Sequence, residues 1–161
     1  MHATIPQLDA PALVRYGLPE TIHQASPAAG ADWSYTVTGH DYLRLVSLHC
    51  KFVADANVAS REVVVSYETG NGKRFGLSGI NTTVTASQTA YYAFSAFQPE
   101  AVATVDSSAL VPLSPVLLSP SQVIKLHVVN VQATDQLSDI WTVWERFYTT
   151  NQPPTWFPSS T

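Results

Sequence analysis

Charge is scarce in this chain. Asp, Glu, Lys and Arg together make up 12% of its 161 residues, about half the usual share of roughly 25%. A surface so poor in charge is not mostly the solvated face of a monomer. Either outer surface is buried against other subunits, or Ser, Thr, Gln and Asn coat the exterior. The eight Lys and Arg residues are scattered singly and the formal net charge is −4. No basic stripe therefore exists to neutralise phosphates, and no nucleic-acid partner is expected. The lone cysteine, Cys50, excludes an intrachain disulfide and a cysteine-based zinc cage. No apolar run approaches the roughly 18 residues needed to cross a bilayer, so no membrane partner is expected. The opening MHATIPQLDAPALVRYG lacks the charged-then-apolar order of a secretory signal, which leads us to expect folding in a reducing cytoplasm.

Legible chemistry is equally sparse. The histidines are His2, His23, His40, His49 and His127, and no two stand at i, i+2 or i, i+4, so no local metal-ligand pair is visible. His49 and His127 fall on outward faces of their strands, where they could be neighbours across a sheet but read more simply as surface residues. Gly76-Leu77-Ser78-Gly79 misses the G-x-S-x-G spacing of a nucleophile elbow, and Ser78 reads as an ordinary serine between strands. Glu62, Glu68, Asp135, Asp139 and Glu145 could supply a glycosidase carboxylate pair. Glu62 and Glu68, however, read as solvated strand-end charges and Asp135 as a turn former. Glu145 and Arg146 are adjacent in a strand, so they point to opposite faces and each seeks a cross-strand partner. Asn81-Thr82-Thr83 matches a glycosylation acceptor by chance. No catalytic residue, cofactor or metal is expected, and the chain does not read as an enzyme.

What the chain does have is period-two alternation between two proline-rich ends. Pro6, Pro11, Pro19 and Pro27 punctuate residues 1–31, and Pro153, Pro154 and Pro158 punctuate residues 151–161. Each proline removes a backbone donor and constrains its predecessor, so both segments are expected to be extended arms around a single domain over residues 32–150. Within it, Tyr42, Val46, Leu48, Cys50 and Phe52 form one face of a strand, with Arg44 as the misfit. Val63, Val65 and Tyr67 form the inward face of the next. Thr69-Gly70-Asn71-Gly72 supplies a tight hairpin into a return strand with Phe75 and Leu77 inward. Further strands are expected over residues 88–97, over 123–131 with Ile124, Leu126 and Val128 on one face, and over 138–148. About eight strands and no convincing amphipathic helix make the fold class all-β, an antiparallel β-sandwich of jelly-roll type.

The aromatic residues raise the question of partners. Ile140, Trp141, Val143, Trp144 and Phe147 load both faces of the last strand, which is either central and covered or presents one face to a partner. Trp156 and Phe157, set between prolines, are the aromatics least suited to the sandwich core. Stiff proline segments lose little entropy on docking, so an arm plugging two aromatics into a neighbour's groove is an economical lock. The alternative is a sugar-stacking platform built from Trp33, Tyr35, Tyr91, Tyr92, Trp156 and Phe157.

The C-terminal half carries a resemblance. Leu117-Leu118-Ser119-Pro120-Ser121 leads into Ile124–Val129. Asn130, Gln132, Asp135 and Ser138 follow at connector spacing, and Trp144-Glu145-Arg146-Phe147 closes an aromatic strand. This pattern, with the strand at Tyr42–Val53 and Arg61-Glu62-Val63-Val64-Val65, resembles the jelly-roll capsid decoration, or cement, proteins of tailed bacteriophages over about residues 33 to 150. Ser121 stands where the family pattern has a turn glycine, and Arg146 where it has an acid. The resemblance implies a structural virion protein on the capsid surface, with the major capsid protein as partner, a homo-oligomer (dimer or trimer) and no catalytic residues. The attachment residues expected are Trp156, Phe157, Ile5, Leu13, Trp141 and Trp144. A sugar- or receptor-binding module of a phage tail or spike is the alternative.

Overall fold

A computed structural model describes residues 18–39, 42–79, 83–97, 104–105 and 108–147, and the period-two alternation resolves there into eleven strands in two sheets. Four antiparallel pairs define the architecture. β1 (Leu18–Gln24) pairs with β11 (Gln136–Phe147), and β2 (Trp33–Thr36) with β10 (Val123–Val129). β3 (Tyr42–Val53) pairs with β6 (Thr89–Ser95), and β4 (Glu62–Glu68) with β5 (Arg74–Gly79). One sheet runs β1-β11-β3-β6 and the other β2-β10-β4-β5. Successive pairs thus alternate between sheets, as when a long hairpin is wrapped around a barrel-like core, and this is the jelly roll. The six strands located from the sequence are β3, β4, β5, β6, β10 and β11, and β1 and β2 complete the eight. Three short ones, β7 (Thr104–Val105), β8 (Ser108–Pro112) and β9 (Leu117–Leu118), are inserted between β6 and β10. β8 extends the larger sheet by pairing parallel with β6, and β9 pairs with β3 at Leu43 and Arg44.

The core fills the space between the sheets. Leu45, Leu48, Phe52, Val63, Val65, Tyr67, Phe94, Leu118, Ile124, Leu126 and Ile140 are fully buried within it. Each such aliphatic or aromatic side chain stabilises the fold by roughly 1.5–3 kcal/mol. Cys50 is among the core residues, as expected, and burial pushes its thiol pKa far up.

Four expectations need correction. Residues 18–24, assigned to the N-terminal arm, are the edge strand β1. Pro19 is tolerated there because an edge strand has one side that needs no ladder donor. In β3 the inward face changes phase: Leu43 and Leu45 are buried before Val46, and Leu48, Cys50 and Phe52 after it. The pairs Val143↔Ser47 and Trp144↔Leu45 leave Val46 as the extra residue of a β-bulge, and a one-residue slip moves every following side chain to the other face. Tyr42 and Val46 are therefore only half-buried, and Arg44 stops being a misfit. In β5, Phe75 and Leu77 are 45% and 53% exposed rather than inward. The inward positions are Gly76 and Ser78, because the Tyr67 ring occupies the space where a Cβ on Gly76 would stand, 2.8 Å from Tyr67 Cδ2. Glu68, read as solvated, is buried and held by Lys125 Nζ at 2.8 Å.

The hairpin is as expected. Gly72 takes a φ of +79° and its N–H donates to Thr69 O at 2.8 Å.

Candidate binding face

Two clusters of polar side chains stand out in the sandwich, and the local strand geometry explains both. At one end, the turn of residues 130–135 leans on the loop of residues 54–60. Asp135 Oδ2 accepts from Gln132 N at 2.7 Å and its Oδ1 from Asp55 N at 2.8 Å. Arg61, at the head of β4, reaches between these loops and is fully buried. Its Nε donates to Asp135 Oδ2 at 2.9 Å, its Nη2 pairs with Asp55 Oδ1, and its Nη1 donates to Asn57 O at 3.0 Å. Thr134 Oγ1 and Asn57 Nδ2 donate to the other Asp55 oxygen at 2.8 and 2.7 Å. Burial alone would raise both carboxyls. The hydrogen bonds they accept and the guanidinium beside them outweigh it and hold both below the usual carboxylate range. Two carboxylates kept ionised in this way cannot supply the protonated acid that glycoside chemistry needs. The cluster ties loops together. Asp135 thus has the turn-forming role expected of it, whereas Arg61 was missed. The only signal available was an isolated arginine at the start of an apolar strand.

The remaining carboxylates are placed as follows. Glu145 accepts from Arg44 Nε at 2.7 Å and Arg146 pairs with Glu20 at 2.8 Å, each across strands as expected. Ser78 Oγ accepts from Ser114 N at 3.2 Å, a structural contact between β5 and the loop that follows β8. His49 and His127 lie in different sheets, on β3 and β10, so they are not neighbours. Among the described residues His127 Nε2 is buried without a hydrogen-bond partner, and burial lowers its pKa. Among the described residues no three His, Cys, Asp or Glu side chains gather as a metal site.

The second cluster lies on the outer face of the larger sheet. A second bulge, between Ser138 and Trp141, is made by Asp139 in the left-handed region at φ 49°. It turns Leu137, Ile140, Thr142 and Trp144 inward and leaves Trp141 outward. Beyond the bulge the strand alternates regularly, with Ile140 and Trp144 toward the core and Trp141 and Val143 on the outer side, so both faces carry apolar residues. Trp144 is 1% exposed, its indole N–H donating to the buried Thr142 Oγ1 at 2.8 Å. It is a core residue, which corrects its expected role in attachment. Trp141 is 46% exposed and packs against His23 with ring centroids 4.5 Å apart. Register aligns His23, Trp141, His49, Ala93 and Leu110 across five strands. Tyr91 is 46% exposed one row away, paired with Lys51. Of the other aromatics expected in a sugar-stacking platform, Trp33 and Tyr92 are buried and Tyr35 packs on Trp144 at 4.9 Å. Trp156, Phe157, Ile5, Leu13 and the Asn81-Thr82 pair lie outside the described residues.

No protein-family model and no curated protein matches the chain. Among solved structures it is similar to the coat protein of Tobacco streak virus, at 12% identity and a TM-score of 0.36, with 94% of this chain and 100% of that chain covered. The strand pairing of this chain, not that likeness, establishes its jelly roll.

Proposed function

We propose that the chain is a structural protein of a virus particle, a capsid decoration or cement protein that binds the outer surface of the major capsid shell and stabilises it. The observation that carries this reading is the exposed apolar edge of the smaller sheet. Among the described residues β5 is the last strand of its sheet, and it bears Phe75 and Leu77 at the surface. An open edge with apolar side chains is a template for pairing with another chain, and the single charge that β5 carries to deter it is Arg74 at its start. At about 25 cal/mol per Å² of apolar area buried, a small contact repeated over a shell gains strength through multivalency. The sequence resemblance to phage decoration proteins points the same way. Trp141, the terminal arms with Trp156, Phe157, Ile5 and Leu13, and association into dimers or trimers belong to this proposal. Trp144 no longer does.

The test is co-sedimentation of the full chain with shells assembled from the major capsid protein, read together with the melting temperature of the shell. Leu77→Asp and deletion of residues 151–161 should each weaken binding and thermal protection. Full retention of both by the two variants would defeat the reading.

A further inference from the structure

Around Trp141, the outer face of the larger sheet carries polar groups that the apolar contact at β5 does not use. A depression of about 150 Å³ is lined there by His49, Lys51, Tyr91, Ala93, Ser108 and Asp139. Trp141 adjoins it through its cross-strand neighbour His49. Trp141 and Tyr91 are separated by two strand spacings and two residues along the strands. At ~4.8 Å per strand and ~3.3 Å per residue, this puts them roughly 12 Å apart on the diagonal. Among the described residues, the side chains of His49, Lys51, Ser108 and Asp139 make no hydrogen bond or ion pair. Two exposed rings thus bracket His49, Lys51 and Asp139, and Ser108 stands beside Tyr91 on the next strand.

We propose that this face is a carbohydrate-binding site for a short oligosaccharide. A pyranose presents an apolar C–H face and a rim of hydroxyls, each able to donate and accept. Its C–H faces stack on Trp141 and Tyr91. Its hydroxyls bond to Lys51 and His49 as donors, to Asp139 as an acceptor and to Ser108 in either sense. A protein partner fits less well. The centre of a protein interface is depleted of Lys and Asp and gathers its aromatics together, whereas here the rings stand apart with Lys51 and Asp139 in the depression. The site is independent of the attachment edge, which lies on β5 in the other sheet.

The experiment applies the labelled full chain to a printed array of microbial, plant and animal oligosaccharides. The best-bound free oligosaccharide is then titrated calorimetrically into the protein and its variants. Saturable binding is expected, weakened roughly tenfold in Trp141→Ala and in Tyr91→Ala, largely restored in Trp141→Phe and Tyr91→Phe, and unchanged in Leu77→Ser. Thermal melting checks that each variant folds. Absence of saturable binding to any glycan overturns the proposal, as does binding that both alanine variants retain. If no glycan binds and Trp141→Ala removes self-association or shell binding, the face is a protein interface and the proposal fails. Loss of shell binding in Leu77→Asp with glycan binding intact would separate this site from the attachment edge.

Discussion

The Arg61 cluster and the outer face around Tyr91 contain similar side chains used in opposite ways. Around Arg61, both carboxylates and the guanidinium are buried and saturated with hydrogen bonds. Around Tyr91, an aspartate, a lysine, a histidine and a serine sit on a sheet surface with no described partner. The first arrangement fixes loops and has nothing left to offer a ligand. The second contributes little to folding and keeps its donors and acceptors for something else. Density of polar residues therefore does not identify a binding site in this molecule. The unsatisfied fraction does.

The sharpest way to break that comparison is to delete one cation from each region. Arg61→Leu leaves the Asp55 and Asp135 carboxylates facing one another without their counter-charge, the costly half of breaking a buried ion pair. The expected result is failure to fold or a collapse of the melting temperature, a greater loss than removal of either tryptophan of β11 would cause. Lys51→Leu, on the open face, should change stability by no more than about 0.5 kcal/mol. Equal effects in chemical denaturation would remove the distinction. The two tryptophans of β11 sharpen it next. Trp144→Ala opens a cavity under the sheet and removes one hydrogen bond to the Thr142 hydroxyl, which keeps Gln24 Nε2 at 3.0 Å and Ile22 O at 3.3 Å, with an expected cost of about 3–5 kcal/mol. Trp141→Ala, three residues earlier and on the opposite face, should cost under about 1 kcal/mol.

That pair of tryptophans also shows how far the sequence could be read. The strand β10 alternates without interruption, and its inward residues Ile124, Leu126 and Val128 were legible from period two alone. In β3 and β11 the same rule misplaces residues, because a bulge at Val46 and another at Asp139 each insert one residue and invert the faces beyond it. Nothing in the identity of Val46 announces a bulge, and Asp139 could as well have been a solvated charge. β1 was hidden by Pro19, which would forbid a central strand but not an edge. The open face was half legible. Tyr91 was among the platform candidates and Trp141 among the attachment residues. The register that aligns Trp141 with His49, one row from Tyr91, is a long-range pairing that no local pattern carries.

Acid should distinguish the buried groups from the exposed ones by pH window. His127 has its folded pKa lowered from 6.5, by burial first, with the Asp32 and Glu68 charges opposing the shift and Arg74 and Lys125 adding to it. Asp55 and Asp135 are lowered from 3.8. In both cases the unfolded chain binds more protons within the window, so stability rises with pH there. The His127 contribution is complete above pH 6.5 and is lost as the pH falls through its folded value. The Asp55 and Asp135 contributions persist until the pH drops below 3.8. Denaturant midpoints should therefore fall in two steps on acidification, and His127→Gln should erase the upper step alone. A single step below pH 3.8 in the native protein would show that His127 is solvated in the folded state.

The smallest expected effect is a gain, at the end of the sandwich opposite Arg61. The turn there is held by backbone hydrogen bonds: Ser121 N donates to Val37 O and Val37 N to Gln122 O, both at 2.9 Å. The turn puts Ser121 at φ 72°, a left-handed conformation that costs an L-residue with a Cβ roughly 1–2 kcal/mol. This is the position where the resemblance called for glycine, and the backbone supplies the physical reason. Part of the relief is offset by the greater freedom of glycine in the unfolded chain, so Ser121→Gly should stabilise by about 0.5–1 kcal/mol. Gly70 is the reciprocal case: a Cβ there would stand 2.9 Å from Ser121 O, so Gly70→Ala should destabilise the same turn. If Ser121→Gly fails to raise the denaturation midpoint, the serine side chain contributes more to that turn than its contacts account for.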